Sequence, residues 1–228
     1  MKRLYGDENL TYYLLDKSHI DDIISLTDEI HSLMDDKSMF VRDDREELEA
    51  IFDSGGEIIG VYDKDRLIAF RCTNIQSKDK SFINDMDYVK GNDKTVVYHG
   101  SCMVHMDYRG RNLQNITRSL IEEYLEEHDF EHFYSTVSPS NPYSFKNVFK
   151  NGYKIVALKN VYQDEDKPEG YLRFIFYKNR KAPFDLINDE EILIEHGKTE
   201  EMKRLLVDNY LGVSYNDKGI VFKKLAGK

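Results

Sequence analysis

The stretch that most constrains this chain runs from Val96 to Tyr153. It opens on an apolar run, Val96-Val97-Tyr98-His99-Gly100-Ser101-Cys102-Met103-Val104, which reads as a largely buried strand. A turn follows, Asp107-Tyr108-Arg109-Gly110-Arg111-Asn112-Leu113-Gln114, and then Leu113, Ile116, Leu120, Ile121 and Tyr124 recur at helical spacing. A turn of Gly, Arg and Asn that opens a helix presents main-chain N–H groups, the positive end of the helix dipole and two guanidinium groups. That combination suits phosphate or pyrophosphate. The dipole disfavours Arg at a helix N-terminus, so two of them argue for an anion there. The alternative leaves Arg109 and Arg111 as surface charges.

Composition narrows the partners. With 228 residues, 40% hydrophobic and 32% charged, the chain suits one globular domain plus a small appendage. Lys and Arg total 32 against 42 Asp and Glu, a net charge of −10, which argues against nucleic acid. The same charge fits a cationic substrate such as an amine or polyamine, or simply a solubilising surface. No apolar run approaches the roughly 20 residues of a membrane span, and Met1-Lys2-Arg3 is followed by no signal-peptide core. The expectation is a cytoplasmic protein with no membrane partner. Cys72 and Cys102 fall in predicted strands and read as reduced, buried thiols. No histidine or cysteine spacing suggests a metal.

Along the chain, residues 10–15 read as a first strand. Ser18 starts a helix with Asp21 and Asp22 in its first turn and Ile20, Ile23, Ile24, Thr27, Ile30 and Met34 on one face, ending near Asp36. Asp43 is expected to cap a second, short helix with Leu48, Ile51 and Phe52 inward, stopped by Gly55-Gly56. Glu57 to Tyr62 and Leu67 to Asn74 form a hairpin, and Ser77 to Lys94 is a long polar connection. After the Arg-Gly turn and its helix come a strand from Phe130 to Val137 and a helix capped by Ser140 or Asn141, with Pro142 in its first turn. Ile155–Val161 and Tyr171–Tyr177 form an antiparallel pair. From Lys181 on, a strand at Glu191–Ile194, a helix at Thr199–Tyr210 and a strand at Gly219–Leu225 are too little for an independent core. They are expected to dock on the main sheet or to form a homodimer contact.

Three pieces together carry a resemblance: Tyr108-Arg109-Gly110-Arg111-Asn112-Leu113-Gln114, Thr136-Val137-Ser138-Pro139-Ser140-Asn141-Pro142-Tyr143-Ser144, and Gly152-Tyr153. They resemble the acetyl-CoA-binding core of the GCN5-related N-acetyltransferases (GNAT), over most of residues 10–178. The family's loop reads Gln/Arg-x-x-Gly-x-Gly/Ala. Arg109 fills its first position, Asn112 stands at the first Gly, and Gln114 at the final Gly/Ala. Asn tolerates left-handed backbone better than other non-glycine residues, so Asn112 is a mild departure. Gln114 is larger, and would crowd a pyrophosphate or donate to it.

The resemblance implies an α/β (α+β) fold with a mixed, mostly antiparallel sheet flanked by helices. Residues 1–180 would be the acetyltransferase domain and 181–228 an extension. It also implies direct acetyl transfer from the acetyl-CoA thioester to an amine of a small molecule or peptide, with acetyl-CoA as co-substrate and no metal. Arg109, Gly110, Arg111, Asn112, Leu113 and Gln114 would hold the diphosphate. The strand edge Met103-Val104-His105 would hold the pantetheine amides. Asn141 and Ser144 would lie near the thiol end, although Asn141 is equally an ordinary helix cap. The first helices and their loop would shape the acceptor pocket, making Met34, Met39, Phe40 and Arg42 loose contact candidates.

The catalytic groups are less defined. The family often places a Tyr seven residues after the Asn, where this chain has Val148. A thiol of pKa roughly 8.5 leaves without much help, so the loss would cost on the order of a hundredfold. Tyr143 or Ser144 could substitute, Tyr143 also fitting an ordinary surface position. For the base, Tyr98 and His99 lie on the core strand, and side-chain alternation lets only one face the site. Packing is the competing reading for both. A rival to the enzyme is a non-catalytic acyl-CoA-binding module of the same fold. A third reading is an oligomerising scaffold that has lost the cofactor.

Overall fold

The computed structural model describes residues 1–6, 9–34, 42–86, 95–165 and 167–227. Met39, Phe40 and residues 87–94 of the long polar connection lie outside them, and the first helix ends at Ser32, short of the expected Asp36. The chain forms two compact units, Met1–Ser77 with Thr95–Phe130, and Lys78–Lys94 with Glu131–Lys228. Both are built on antiparallel sheets with helices packed against them.

In the first unit the sheet order follows the chain: β1 (Lys2–Gly6), β2 (Thr11–Leu14), β3 (Ile58–Asp63), β4 (Arg66–Ser77) and β5 (Thr95–Val104). The hairpin β3–β4 and the apolar strand β5 are where the sequence puts them. β1 has no alternating apolar signal and emerges only through its pairing with β2. Successive side chains on β4 point to opposite faces. Phe70 and Cys72 join Ile20, Ile23, Leu26 and Ile30 of α1 (Ile20–Ser32) and Leu48 and Ile51 of α2 (Arg45–Asp53) in one buried cluster. Arg71 instead faces α3 (Leu113–Glu126), donating to the Gln114 carbonyl (2.9 Å) and to Thr117 Oγ1 (3.3 Å).

Two helix starts differ from expectation. Asp16, rather than Ser18, caps the 3-10 turn Lys17–His19 that leads into α1, its carboxylate accepting from the Ser18 N–H (3.0 Å). Asp44, rather than Asp43, caps α2: it accepts from the Glu47 N–H, and Glu47 reaches back to the Asp44 N–H, both at 2.8 Å. Asp43 and Asp44 each have a Glu three residues on, Glu46 and Glu47, so the pattern fits either acid, and the structure closes the reciprocal capping box on Asp44 and Glu47. Asp43 is thereby free to turn elsewhere.

The second unit orders its strands β6 (His132–Val137), β8 (Tyr171–Asn179), β7 (Lys154–Val161), β10 (Tyr210–Asn216), β11 (Gly219–Leu225) and β9 (Leu186–Glu195). The C-terminal residues therefore extend this sheet, through Gly212 of β10 opposite Ile155 of β7. α4 (Pro142–Lys150) sets Phe145 against Phe174 and Tyr215, and Phe149 against Phe176, all edge-to-face. α5 (Thr199–Val207) is shorter than expected and buries Met202; the chain beyond it turns into β10, which the sequence reading missed.

Candidate functional site

The turn between β5 and α3 is built by local chemistry. The Tyr108 and Arg109 N–H groups close back onto the carbonyls of His105 and Met106 (3.0 and 3.2 Å), making a single 3-10 turn. The Tyr108 hydroxyl donates to Asp63 on the β3–β4 hairpin (2.6 Å), and the Arg111 guanidinium stacks on the Tyr108 ring (4.7 Å). Gly110 and Asn112 both adopt left-handed backbone, at φ 79° and 61°. Asn112 is thus suited to its position in the way its side chain predicts, and it accepts from the Asn115 amide one turn on.

Two left-handed residues so close together turn consecutive N–H groups outward. Among the described residues, no main-chain acceptor meets the N–H of Gly110, Arg111, Asn112 or Leu113. Arg109 and Arg111 are exposed, and the first turn of α3 has no acid. A Cβ at Gly110 would meet nothing within 4 Å, so the space over the turn is open. Gln114 does not crowd it through its main chain, whose carbonyl is drawn down onto Arg71. The turn is an open cradle with main-chain donors and two exposed guanidinium groups, and its acid, Asp107, stands at its start.

Behind it, β5 is the last strand of this unit's sheet. The His105 N–H donates to the Ile68 carbonyl (2.8 Å), so in an antiparallel ladder Met103 and His105 turn their main-chain groups toward β4. Val104 and Cys102 turn theirs to the other edge. Of the predicted strand-edge residues, Val104 therefore turns its main-chain N–H and C=O away from β4. The His105 ring is buried and bonded: Nδ1 accepts from the Asp107 N–H (3.3 Å), which leaves Nε2–H to donate to Glu29 (2.9 Å). Arg66 meets the same carboxylate (3.0 Å), and His105 and Arg66 together hold Glu29 below the usual carboxylate range.

A β-bulge decides what Tyr98 and His99 do. The register passes from Arg71 opposite Cys102 to Thr73 opposite His99, so Gly100 and Ser101 share Cys72 as partner. The extra residue sends His99 to the α3 face. Its ring is fully enclosed, 3.3 Å from Glu122 and near Arg118. Burial first, then the Arg118 charge, pull its pKa down to about 3. An enclosed, neutral imidazole with 0% side-chain exposure does not fit a base that must meet an acceptor, and His99 reads as core. Tyr98 lies opposite Asn74, whose side chain meets Ser54 of the α2 terminus (3.2 Å), so Tyr98 faces the α1/α2 side.

Ser101 shares that side, and its hydroxyl donates to the carboxylate of Asp43. Sequence reasoning missed this pair because Asp43 reads as a cap. The only available signal was the second acid beside it. Burial raises the Asp43 carboxyl to about 6, against the Ser101 hydrogen bond and helped by Glu47 and Asp44. Arg42 pairs with Asp28 (2.9 Å) and Arg45 with Asp21, so the cations flanking Asp43 are engaged elsewhere.

In the second unit, Asn141 caps α4 by accepting from the Ser144 N–H (3.0 Å), with Pro142 at the first position. Tyr143 is 86% exposed on the first turn. Val148, at the family's Tyr position, is buried and brings no hydroxyl. Among the described residues, no group of three or more His, Cys, Asp or Glu converges on a metal position, and no helix is long and apolar enough to cross a membrane.

No family model matches the sequence, and no curated protein matches it. Solved structures do match. NAA60 of Arabidopsis thaliana in complex with acetyl-CoA is 18% identical, over 76% of this chain and 99% of its own, at a TM-score of 0.57. YncA of Salmonella typhimurium with its cofactor acetyl-CoA is 13% identical, over 77% and 98%, at 0.54. An N-acetyltransferase of Staphylococcus aureus Mu50 is 9% identical, over 76% and 99%, at 0.56. Identities this low speak to architecture alone, and on that ground the chain has the GNAT fold.

Proposed function

We propose that this protein is an acetyl-CoA-dependent N-acetyltransferase acting on an amine of a small molecule or peptide. The observation that carries the reading is the cradle at Arg109–Leu113: outward N–H groups, two exposed guanidinium groups and open space on a fold shared with acetyl-CoA-bound proteins. In this reading Arg109, Gly110, Arg111, Asn112, Leu113 and Gln114 hold the diphosphate. The pantetheine arm runs back along β5, where Val104 supplies main-chain partners and Met103 and His105 the flanking wall. Tyr98 faces the acceptor. A structure of NAA60 with a bisubstrate analogue supports an amine or peptide acceptor by analogy of fold.

The buried Val148 favours a second reading, an acyl-CoA-binding module without turnover. Calorimetric titration of acetyl-CoA into wild type and Arg109→Ala, followed by a thiol-release assay over an amine panel, separates the two. Micromolar binding that weakens in the variant, with amine-dependent thiol release, supports the enzyme. Binding without release on any amine supports the module. No binding to the wild type removes both.

A further inference from the structure

Asp43 is a carboxylate in an unusual position. It sits against the bulge of β5, hydrogen-bonded to Ser101, on the side of the sheet that Tyr98 and Cys72 also face. Among the described residues no cation pairs with it, although Arg42 and Arg45 lie one and two residues away; those two are held by Asp28 and Asp21 of α1. The groups that bear on Asp43 are Ser101 of β5, Cys72 of β4, and Asp44 and Glu47 of α2. None is positive. A partly buried acid with a single hydroxyl partner and acidic neighbours lacks the counter-charge that such groups ordinarily have.

Its place along the strand matters as well. Ser101 precedes Val104 by three residues, about 10 Å at strand rise. A chain anchored by its diphosphate at the turn after β5, and running back along β5, carries its far end toward the Ser101 bulge. The acyl group and the unpaired carboxylate are thus brought to the same stretch of strand.

We propose that the Asp43–Ser101 pair receives the acceptor's amine nitrogen and takes its proton as the acetyl group is transferred. The inference rests on the acetyltransferase reading above and names the chemistry of its acceptor: a cationic amine, drawn to a carboxylate that has no counter-ion among the described residues. In the step, the bound ammonium first releases one proton to solvent; the lone pair of the neutral amine then forms the C–N bond at the thioester carbonyl, and the C–S bond breaks with its electron pair leaving on sulfur. The proton lost by nitrogen goes to the Asp43 carboxylate, then to solvent, while the thiolate takes a proton from solvent. Nitrogen grows strongly acidic as it bonds to carbonyl, so a carboxylate suffices as acceptor. Ser101 is a positioning residue; its hydrogen bond fixes the carboxylate and favours the charged form.

The test uses the full chain with saturating acetyl-CoA and three acceptors, n-butylamine, spermidine and penta-alanine, for wild type, Asp43→Asn and Ser101→Ala between pH 5 and 9. Expressed per neutral amine, wild-type kcat/KM should fall below about pH 6. Asp43→Asn, which keeps size and shape, should lose that limb and about a hundredfold or more of kcat at pH 7.5 with an unchanged acetyl-CoA Kd. Ser101→Ala should keep the limb but shift it to higher pH. Wild-type transfer with an Asp43→Asn variant that retains rate and limb overturns the assignment and leaves the acetyltransferase reading standing. Acetyl-CoA binding without transfer to any of the three amines overturns both.

Discussion

Arg71 of β4, a buried guanidinium, donates to the main-chain carbonyl of Gln114 in the first turn of α3 at 2.9 Å. The same guanidinium reaches Thr117 Oγ1 at 3.3 Å. It ties the sheet to the helix whose N-terminus forms the cradle, so the position of the cradle depends on a residue two elements away. Arg71→Met, which keeps the stem and removes the donors, should lower stability by about 2 kcal/mol, the scale of a charged hydrogen bond. Chemical denaturation measures this. An acetyl-CoA Kd raised several-fold at temperatures where the variant is fully folded would show that the tether also sets the site.

The cradle itself separates charge from backbone. Arg109→Ala should weaken acetyl-CoA about 10- to 100-fold with little change in melting temperature, since the side chain is exposed. Asn112 carries φ 61°. Asn112→Gly should therefore be within a few tenths of a kcal/mol of wild type, whereas Asn112→Val should cost about 1–2 kcal/mol. Equal stability of the two variants would mean that the turn is not left-handed in solution.

Asp43 offers a stability prediction independent of turnover. Its folded pKa, about 6, lies above that of an unfolded Asp, so the folded state holds the proton more tightly. The favourable contribution is complete below about pH 4 and is lost as pH rises through about 6. At pH 7.5 the ionised carboxylate is a burden that Asn lacks. Asp43→Asn should then melt higher than wild type at pH 7.5, and the gain should shrink toward pH 4. A variant that melts lower at every pH would show that the carboxylate is stabilising where it stands.

Glu29 has the opposite sign. Hydrogen bonds from His105 and Arg66 hold its carboxyl below the usual value, so its contribution is present above the ordinary carboxylate range and disappears as pH falls through the folded value. Urea midpoints of wild type should exceed those of Glu29→Gln near pH 6 and converge with them toward pH 3. Parallel curves would mean that the network is not formed.

Gly212 of β10 lies opposite Ile155 of β7, and a Cβ there would come within 2.9 Å of Ile155 Cβ. Gly212→Val should destabilise the second unit by about 1–3 kcal/mol through overpacking. Heteronuclear spectra of the variant should show the shifts concentrated in β7, β10 and α5.

Local pattern determined much of this protein. The apolar run of β5, the helical spacing after the turn, the cap at Asn141 with Pro142 behind it and the left-handed tolerance of Asn112 are all legible, because each depends on neighbours within a few residues. What escaped depends on partners distant in the chain. β1 and β10 have no convincing strand signal and exist through pairing. Asp43 and Asp44 each have a Glu three residues on, so the local pattern does not choose the cap, and the consequence of the choice appears only when Asp43 meets Ser101, 58 residues away. A single-residue bulge opposite Cys72 reverses the face of His99, and no periodicity in one strand reveals where its neighbour will slip. The sequence by itself determined most of the elements and the chemistry of the turn at Arg109–Gln114. The tertiary structure decided which titratable groups are enclosed beside α3 and which turn toward α1 and α2, because burial and cross-strand register are properties of the packed sheet.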